Sequence, residues 1–363
     1  MLAHAGIKGF LPIWTLWGKE NYCMIGNHAI PVVIDAYLKG LTTVDGEKLF
    51  TAIKASLTTN HQKSDWDVYD KFGYYPFDIV KNESVSRTME SVYDDYCAGL
   101  MAHKLGKKED FDFFMKRAGY YKNLFDNQTG MMRGKDSAGN WRTPFNSFSL
   151  SHDSSHGGDY TEGNAWQYTF HVQHDIEGLI NLMGGKTCFK NKLDSLFYLQ
   201  SSETKKVLDV TGLIGQYAHG NEPSHHVAYL YNFVGKSDKT QELIREIFDR
   251  FYLPAPNGLC GNDDCGQMSA WYIFSAMGFY PVDPVSGEYL IGAPQVHEMK
   301  WHLPNGKIFE MKALNLSDTN KYVSSVKLNG KTLETFRITY DEIKNGGILE
   351  FDMTENKDLI FGE

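Results

Sequence analysis

Three acidic clusters carry the residue types from which a hydrolytic site can be built. They are Asp159–Tyr168, His219–His226 and Gly261–Gln267. Glycoside hydrolysis needs one protonated carboxyl to donate to the leaving oxygen and a second carboxylate to activate water or attack. Glu162 lies between Tyr160 and Trp166, and partial burial against rings would raise its pKa, as a general acid requires. Asp263 and Asp264 open a predicted helix, where the N-terminal dipole favours an ionised base. Each cluster can also be read as a helix cap, since Asp and Asn at a helix start satisfy orphan N–H groups.

The middle cluster adds hard oxygen donors. Asn221 and Glu222, with the carbonyls of Gly220 or His219 nearby, suit Ca²⁺, which takes several oxygen ligands. His219, His225 and His226 raise a zinc alternative. No second His or Cys set has zinc spacing, and adjacent His225 and His226 cannot share one helix face. Trp14–Glu20, running on to His28, and Met132–Arg142 combine aromatics, charges and glycine, as sugar-binding loops do. Trp17, Glu20, His28, Lys135, Asp136, Trp166, His219 and Asn262 are the expected substrate contacts. No G-x-S-x-G elbow and no Walker or Rossmann glycine pattern is present.

Nine helices must position these clusters: about 28–41, 46–57, 83–105, 108–125, 163–183, 186–198, 223–234, 236–252 and 264–277. In Glu83–Leu105, Val85, Met89, Val92, Tyr93, Tyr96 and Leu100 recur at 3–4 spacing. Asn82 is a candidate cap, Pro223 falls near a first turn, and Gly106, Gly184 and Gly235 follow helix ends. Short and long connections alternate, so the long loops 58–82, 126–162, 199–222 and 253–263 would collect at one rim. That is the rhythm of an α/α toroid. After Gly278 the chain turns β-rich, in the runs 288–291, 296–303, 307–314, 322–328, 336–339 and 348–353, with Asn-Gly turns at 305, 329 and 345. The expectation is a mainly α protein with a β tail: a partial (α/α)6 toroid over 1–279 and a small antiparallel β-domain over 280–363.

Composition narrows the classes. The chain has 363 residues, 42 % hydrophobic, with 22 Phe, 21 Tyr and 7 Trp and a net charge of −9. Such aromatic excess suits a densely packed core or a carbohydrate cleft. No basic cluster interleaved with aromatics favours nucleic acid, and no apolar run spans a bilayer. No signal peptide is visible in Met1–Phe10. Five cysteines are too sparse for a disulfide framework, although Cys260 and Cys265 are close enough to pair.

The sequence resembles glycoside hydrolase family 92, the calcium-dependent exo-acting α-mannosidases. The resemblance is carried by Leu11–Trp17, Cys23–Gly26, Pro31–Tyr37, Gly73–Pro76, Met132–Asp136, Glu162–Tyr168, Gly220–Pro223, Gly261–Trp271 and Gly278–Pro281. It implies an (α/α)6 catalytic barrel and hydrolysis by single displacement with inversion. It makes Glu162 the acid, puts calcium at Asn221 and Glu222, and puts the base within Gly261–Gly266. Many members carry two acids there separated by one residue. Here those positions are Asn262 and Asp264 with Asp263 between them, so Asp264 is the expected base.

Family chains are about twice as long, with a β-sandwich and the first barrel helices preceding the matched region. The chain therefore reads as a C-terminal piece whose partners are a mannose-containing glycan and the N-terminal half of its parent. The alternative is a carbohydrate-binding or inactive fragment. The resemblance implies a bacterial parent that is secreted, periplasmic or held at the cell surface. A missing half would leave the first helix exposed around Ile30, Val33 and Tyr37.

Overall fold

The computed structural model describes residues 1–62, 64–150, 158–201 and 210–362. Parts of two expected long loops, 151–157 and 202–209, therefore lie outside the described residues. The chain forms two compact units: Met1–Asp175 makes up nearly all of the first, and Ile176–Gln200 with Leu208–Glu363 the second. This division by contact falls at a different place from the change in character near residue 280.

In the first unit the spine is helix Ser84–Lys104, of whose 21 residues 16 are buried. A helix buried all round, rather than along one stripe, belongs at the centre of its layer. Helices Ala29–Leu38, Gly46–Thr58 and Lys108–Ala118 pack on it. The three-residue link Leu105–Lys107 makes the last of these its antiparallel neighbour. The start of the spine differs from expectation. Asn82 does not cap it; Glu83 stands at the N-cap, with φ 61° and no side-chain cap bond. The orphan amides of Val85 and Ser86 donate instead to the Asp159 carbonyl, at 3.0 and 3.2 Å.

Several helices differ from the sequence reading. Trp66–Phe72 is a helix inside an expected loop, capped by Asp65 and closed by left-handed Gly73. Leu2–Lys8 and Tyr340–Lys344 are also helical. The expected helix 163–183 is two, Ala165–Thr169 and Ile176–Leu182, the first begun by an Asn164–Gln167 capping box. Residues 108–125 stop as α-helix at Ala118 and continue as a 3₁₀ turn, Tyr120–Leu124. Val227–Val234 is likewise 3₁₀. Ile30 is fully buried, and Val33 and Tyr37 are half-buried, so the expected exposed face at Ile30 is absent. The neighbouring Val32 is 56 % exposed.

In the second unit, helices Lys186–Tyr198, Ser237–Phe251 and Gln267–Ala276 precede the β-rich tail. The strands run close to the expected segments. A five-stranded sheet has the order Lys331–Thr332, Tyr322–Leu328, Gly347–Thr354, Ile308–Leu314, Glu298–His302. It is antiparallel except for one pair: Ile308–Leu314 runs parallel to Gly347–Thr354. A parallel pair needs a long crossover, and here the connection contains strand Tyr322–Leu328 and helix Tyr340–Lys344. Phe309, Met311, Val323, Val326, Leu349 and Phe351 form the core beneath it. All five cysteines are free, so Cys260 and Cys265 do not pair; burial pushes the Cys260 thiol up to about 11.

Candidate active site

Glu162 belongs to the first unit and sits in a turn tied down on both sides. Upstream, the Asp159 carboxylate accepts Ser84 Oγ at 2.9 Å and Arg142 Nε at 2.7 Å. The Thr161 amide donates to Ser86 Oγ at 2.7 Å, and Tyr160 Oη to the Met132 carbonyl at 2.7 Å. Downstream, the Asn164 amide donates to Gln167 Oε1 at 2.7 Å. Gly134 is required here: a Cβ would stand 2.5 Å from Asp159 Oδ2. Between these anchors Glu162 is half-buried, with a left-handed backbone at φ 48°. Trp166 is buried beside Phe148.

The other expected contacts of this unit are placed as follows. Trp17 is 94 % exposed at the tip of the hairpin Thr15–Leu16/Lys19–Glu20. Glu20 braces that hairpin by accepting the amides of Ile13, Trp14 and Tyr22, at 2.7, 3.0 and 2.9 Å. Asp136 accepts the amides of Ala138 and Asn140 within its own turn. The Lys135 ammonium lies 4.2 Å from the Trp141 ring centroid, and burial lowers its pKa.

His28 meets two carboxylates that sequence reasoning missed. Its Nδ1 is 3.0 Å from Asp94 Oδ1, and its Nε2 contacts Glu90 Oε2. His171 Nε2 lies 3.3 Å from the same Glu90 oxygen. Burial opposes a charged His28, but Asp94 and Glu90 outweigh it and raise the pKa well above the usual value. Against its own burial, Glu90 is held far below the usual carboxylate range by His171 and His28. The i, i+4 spacing of Glu90 and Asp94 on one helix face was the available signal.

In the second unit the His219–Glu222 and Gly261–Asp264 loops pack glycine on glycine. A Cβ on Gly261 would lie 2.8 Å from Gly220 Cα and 2.7 Å from the Gly220 carbonyl oxygen. Asn221, Glu222 and the base candidates therefore share one small region. The helix expected from 264 starts at Gln267 with Gly266 at its N-cap, and Asp263 reaches into its first turn, Oδ1 accepting the Ser269 amide at 3.0 Å and Ser269 Oγ at 2.8 Å. Asp264 and Asn262 are exposed, and Asp264 has φ 45°. Of the two aspartates, Asp264 keeps its carboxylate clear of the helix start.

His219 and His225 are structural. His219 is fully buried, with Nδ1 2.7 Å from Tyr217 Oη and Nε2 2.8 Å from Tyr252 Oη. Tyr252 donates to the Met268 carbonyl at 3.1 Å, so it accepts from His219 Nε2–H. His225 Nε2 donates to the His219 carbonyl at 2.9 Å, and its Nδ1 accepts from Gln267 Nε2 at 3.2 Å. Burial lowers both histidines, His225 to about 4. With these ring nitrogens engaged, the local donor set is oxygen: Asn221, the Glu222 carboxylate and backbone carbonyls. That suits calcium rather than zinc. Among the described residues no cluster of three His, Cys, Asp or Glu is arranged for a metal ion, so other ligands would be amide, carbonyl or water oxygens.

Residues 1–355 match the glycosyl hydrolase family 92 catalytic domain. A family 92 α-mannosidase from Bacteroides thetaiotaomicron, solved with mannoimidazole, is 44 % identical and superposes with a TM-score of 0.92, over 98 % of this chain and 47 % of that one. A family 92 inverting mannosidase from B. thetaiotaomicron VPI-5482 is 36 % identical with a TM-score of 0.87, over 98 % and 49 %. An uncharacterized secreted glycosidase of Arthroderma benhamiae is 28 % identical, over 95 % of this chain and 47 % of its own length. The chain thus spans about half the length of these relatives. It belongs to glycoside hydrolase family 92.

Proposed function

We propose that this chain carries the acid, base and calcium-binding residues of an inverting exo-α-mannosidase. Residues 1–279 form the later part of an (α/α)6 barrel and 280–363 a C-terminal β-rich domain; the parent's N-terminal half completes the barrel. The observation that carries the reading is backbone strain. Both Glu162 and Asp264 hold left-handed conformations, seldom adopted by Glu and more readily by Asp, and backbone strain of this kind clusters at reactive sites.

The Glu162 carboxyl donates its proton to the glycosidic oxygen as the bond from C1 to that oxygen breaks. The Asp264 carboxylate takes a proton from the water whose oxygen bonds to C1 from the opposite face. Asn221, Glu222 and the Gly220 carbonyl would hold Ca²⁺, which would supply a grip on the mannose hydroxyls. Trp17, Lys135, Trp166 and Asn262 contribute contacts to the sugar. Glu20, His28, Asp136 and His219 act indirectly, by bracing the loops, and Asp263 orients the helix behind Asp264.

The natural substrate is an α-mannoside of a glycan, including N-glycans, and the parent is a bacterial protein that is secreted, periplasmic or surface-held. The fungal relative's description as secreted supports that placement. Hydrolysis of a chromogenic α-mannoside with and without EGTA tests the reading. Calcium-restored release of β-mannose is expected. Release that chelation leaves untouched overturns the metal assignment, and release of α-mannose overturns the single-displacement mechanism.

A further inference from the structure

Resting on the proposed calcium and base assignments, we infer that His225 and Gln267 are positioning residues that lock the Asp264 loop to the calcium loop, so that metal binding and order in that loop are coupled. Three bridges join the two segments. His225 spans them directly, accepting from Gln267 on one ring nitrogen and donating to the His219 carbonyl from the other. Tyr252 Oη lies between His219 Nε2 and the Met268 carbonyl. Trp271 Nε1 donates to the His225 carbonyl at 3.0 Å. Residues 267, 268 and 271 all belong to helix Gln267–Ala276, which follows Asp263 and Asp264 by a short turn.

The loops also meet backbone to backbone. Gly261 has no room for a Cβ against Gly220, and a Cβ on Gly220 would stand 1.9 Å from Thr211 Oγ1. Neither loop can shift without moving the other. Polarity is fixed as well. The Gln267 amide donates to Nδ1, which leaves the proton on Nε2, facing the His219 carbonyl. An apolar side chain at 267 offers Nδ1 no donor, so the bond that joins the two segments through this ring is lost while Nε2–H still faces the His219 carbonyl.

The test measures calcium affinity by calorimetry, and amide exchange of residues 258–268 by mass spectrometry, in the 363-residue chain. Calcium should slow exchange in 261–266. In both Gln267→Met and Gln267→Leu the affinity should fall by about 10- to 100-fold, the usual cost of losing a residue that orients a metal ligand. Protection of 261–266 should be lost in both even at saturating calcium. Affinity within about twofold of the unsubstituted chain, with protection intact, overturns the coupling and leaves the calcium reading standing. No calcium heat and no protection in the unsubstituted chain overturns both together.

Discussion

Arg142 Nε donates to Asp159 Oδ2 at 2.7 Å, and this pair stands three residues from Glu162. Asp159 is 6 % exposed and its other oxygen accepts Ser84 Oγ, so removing it strands a guanidinium and frees the turn. The Arg142 side chain is 29 % exposed and can turn to water, so the loss is about 1–3 kcal/mol, that of stranded hydrogen-bonding groups. Asp159→Ala should therefore lower the denaturation midpoint. In the active protein it should also depress turnover more on poor leaving groups than on good ones. Equal loss on both would mean that Asp159 does not act through the acid.

Glu162→Gln should lower turnover on unactivated mannosides by roughly 10²–10⁴-fold, the typical contribution of a general acid. An aryl mannoside with an acidic phenol needs less protonation and should suffer far less. Asp264→Asn should damage both substrates, because each needs an activated water. Steady-state rates across a leaving-group series separate the two roles, and a reversed pattern would exchange the assignments.

A second buried pair makes a purely structural prediction. Arg117 Nη2 lies 3.0 Å from Asp95 Oδ1, Nε 3.1 Å from Oδ2, and Nη1 donates to the Leu57 carbonyl at 2.9 Å. The guanidinium sits 4.6 Å from the Trp66 ring centroid and 4.9 Å from that of Tyr69. Asp95→Ala and Arg117→Ala should each cost about 3–5 kcal/mol. The double variant should cost less than their sum, because the second removal no longer strands a charge. Urea titration of the four proteins measures this coupling, and simple additivity would exclude it.

Acid should destabilise the fold through histidines kept neutral. Burial depresses His225 to about 4, against about 6.5 in an unfolded chain. Between those values the unfolded state binds a proton that the folded state refuses, so stability falls as pH drops from 6.5 toward 4. The full contribution of this one ring is on the order of 3 kcal/mol. His174, also lowered to about 4, adds to the same slope. Denaturation midpoints between pH 4 and 7 should fall with acidity, and less steeply in His225→Asn. An unchanged slope in that variant would show that His225 is not kept neutral.

Much of this was legible in the sequence. Strand segments 288–291 and 322–328 were read to the residue, because alternation and Asn-Gly turns act locally. The three acidic clusters were visible too, but the helices behind them were read as too long and too regular: 163–183 is broken after Thr169, 223–234 is 3₁₀, and 264–277 starts only at Gln267. Helix Trp66–Phe72 escaped because seven residues give too little periodicity, although Asp65 and Gly73 mark both ends. His219 was read as a sugar contact; its partners Tyr217, Tyr252 and His225 come from separate elements, and no local pattern brings them together. The parallel strand pair was hidden for the same reason.

The left-handed turns at Glu162 and Asp264 also constrain how these positions can change. A residue with a Cβ in that conformation costs roughly 1–2 kcal/mol that glycine does not incur. On the proposed assignments, the acid and the base both stand where a glycine would relax the chain. A glycine at either position would then gain stability and lose the carboxyl, so durability and turnover pull these two positions in opposite directions.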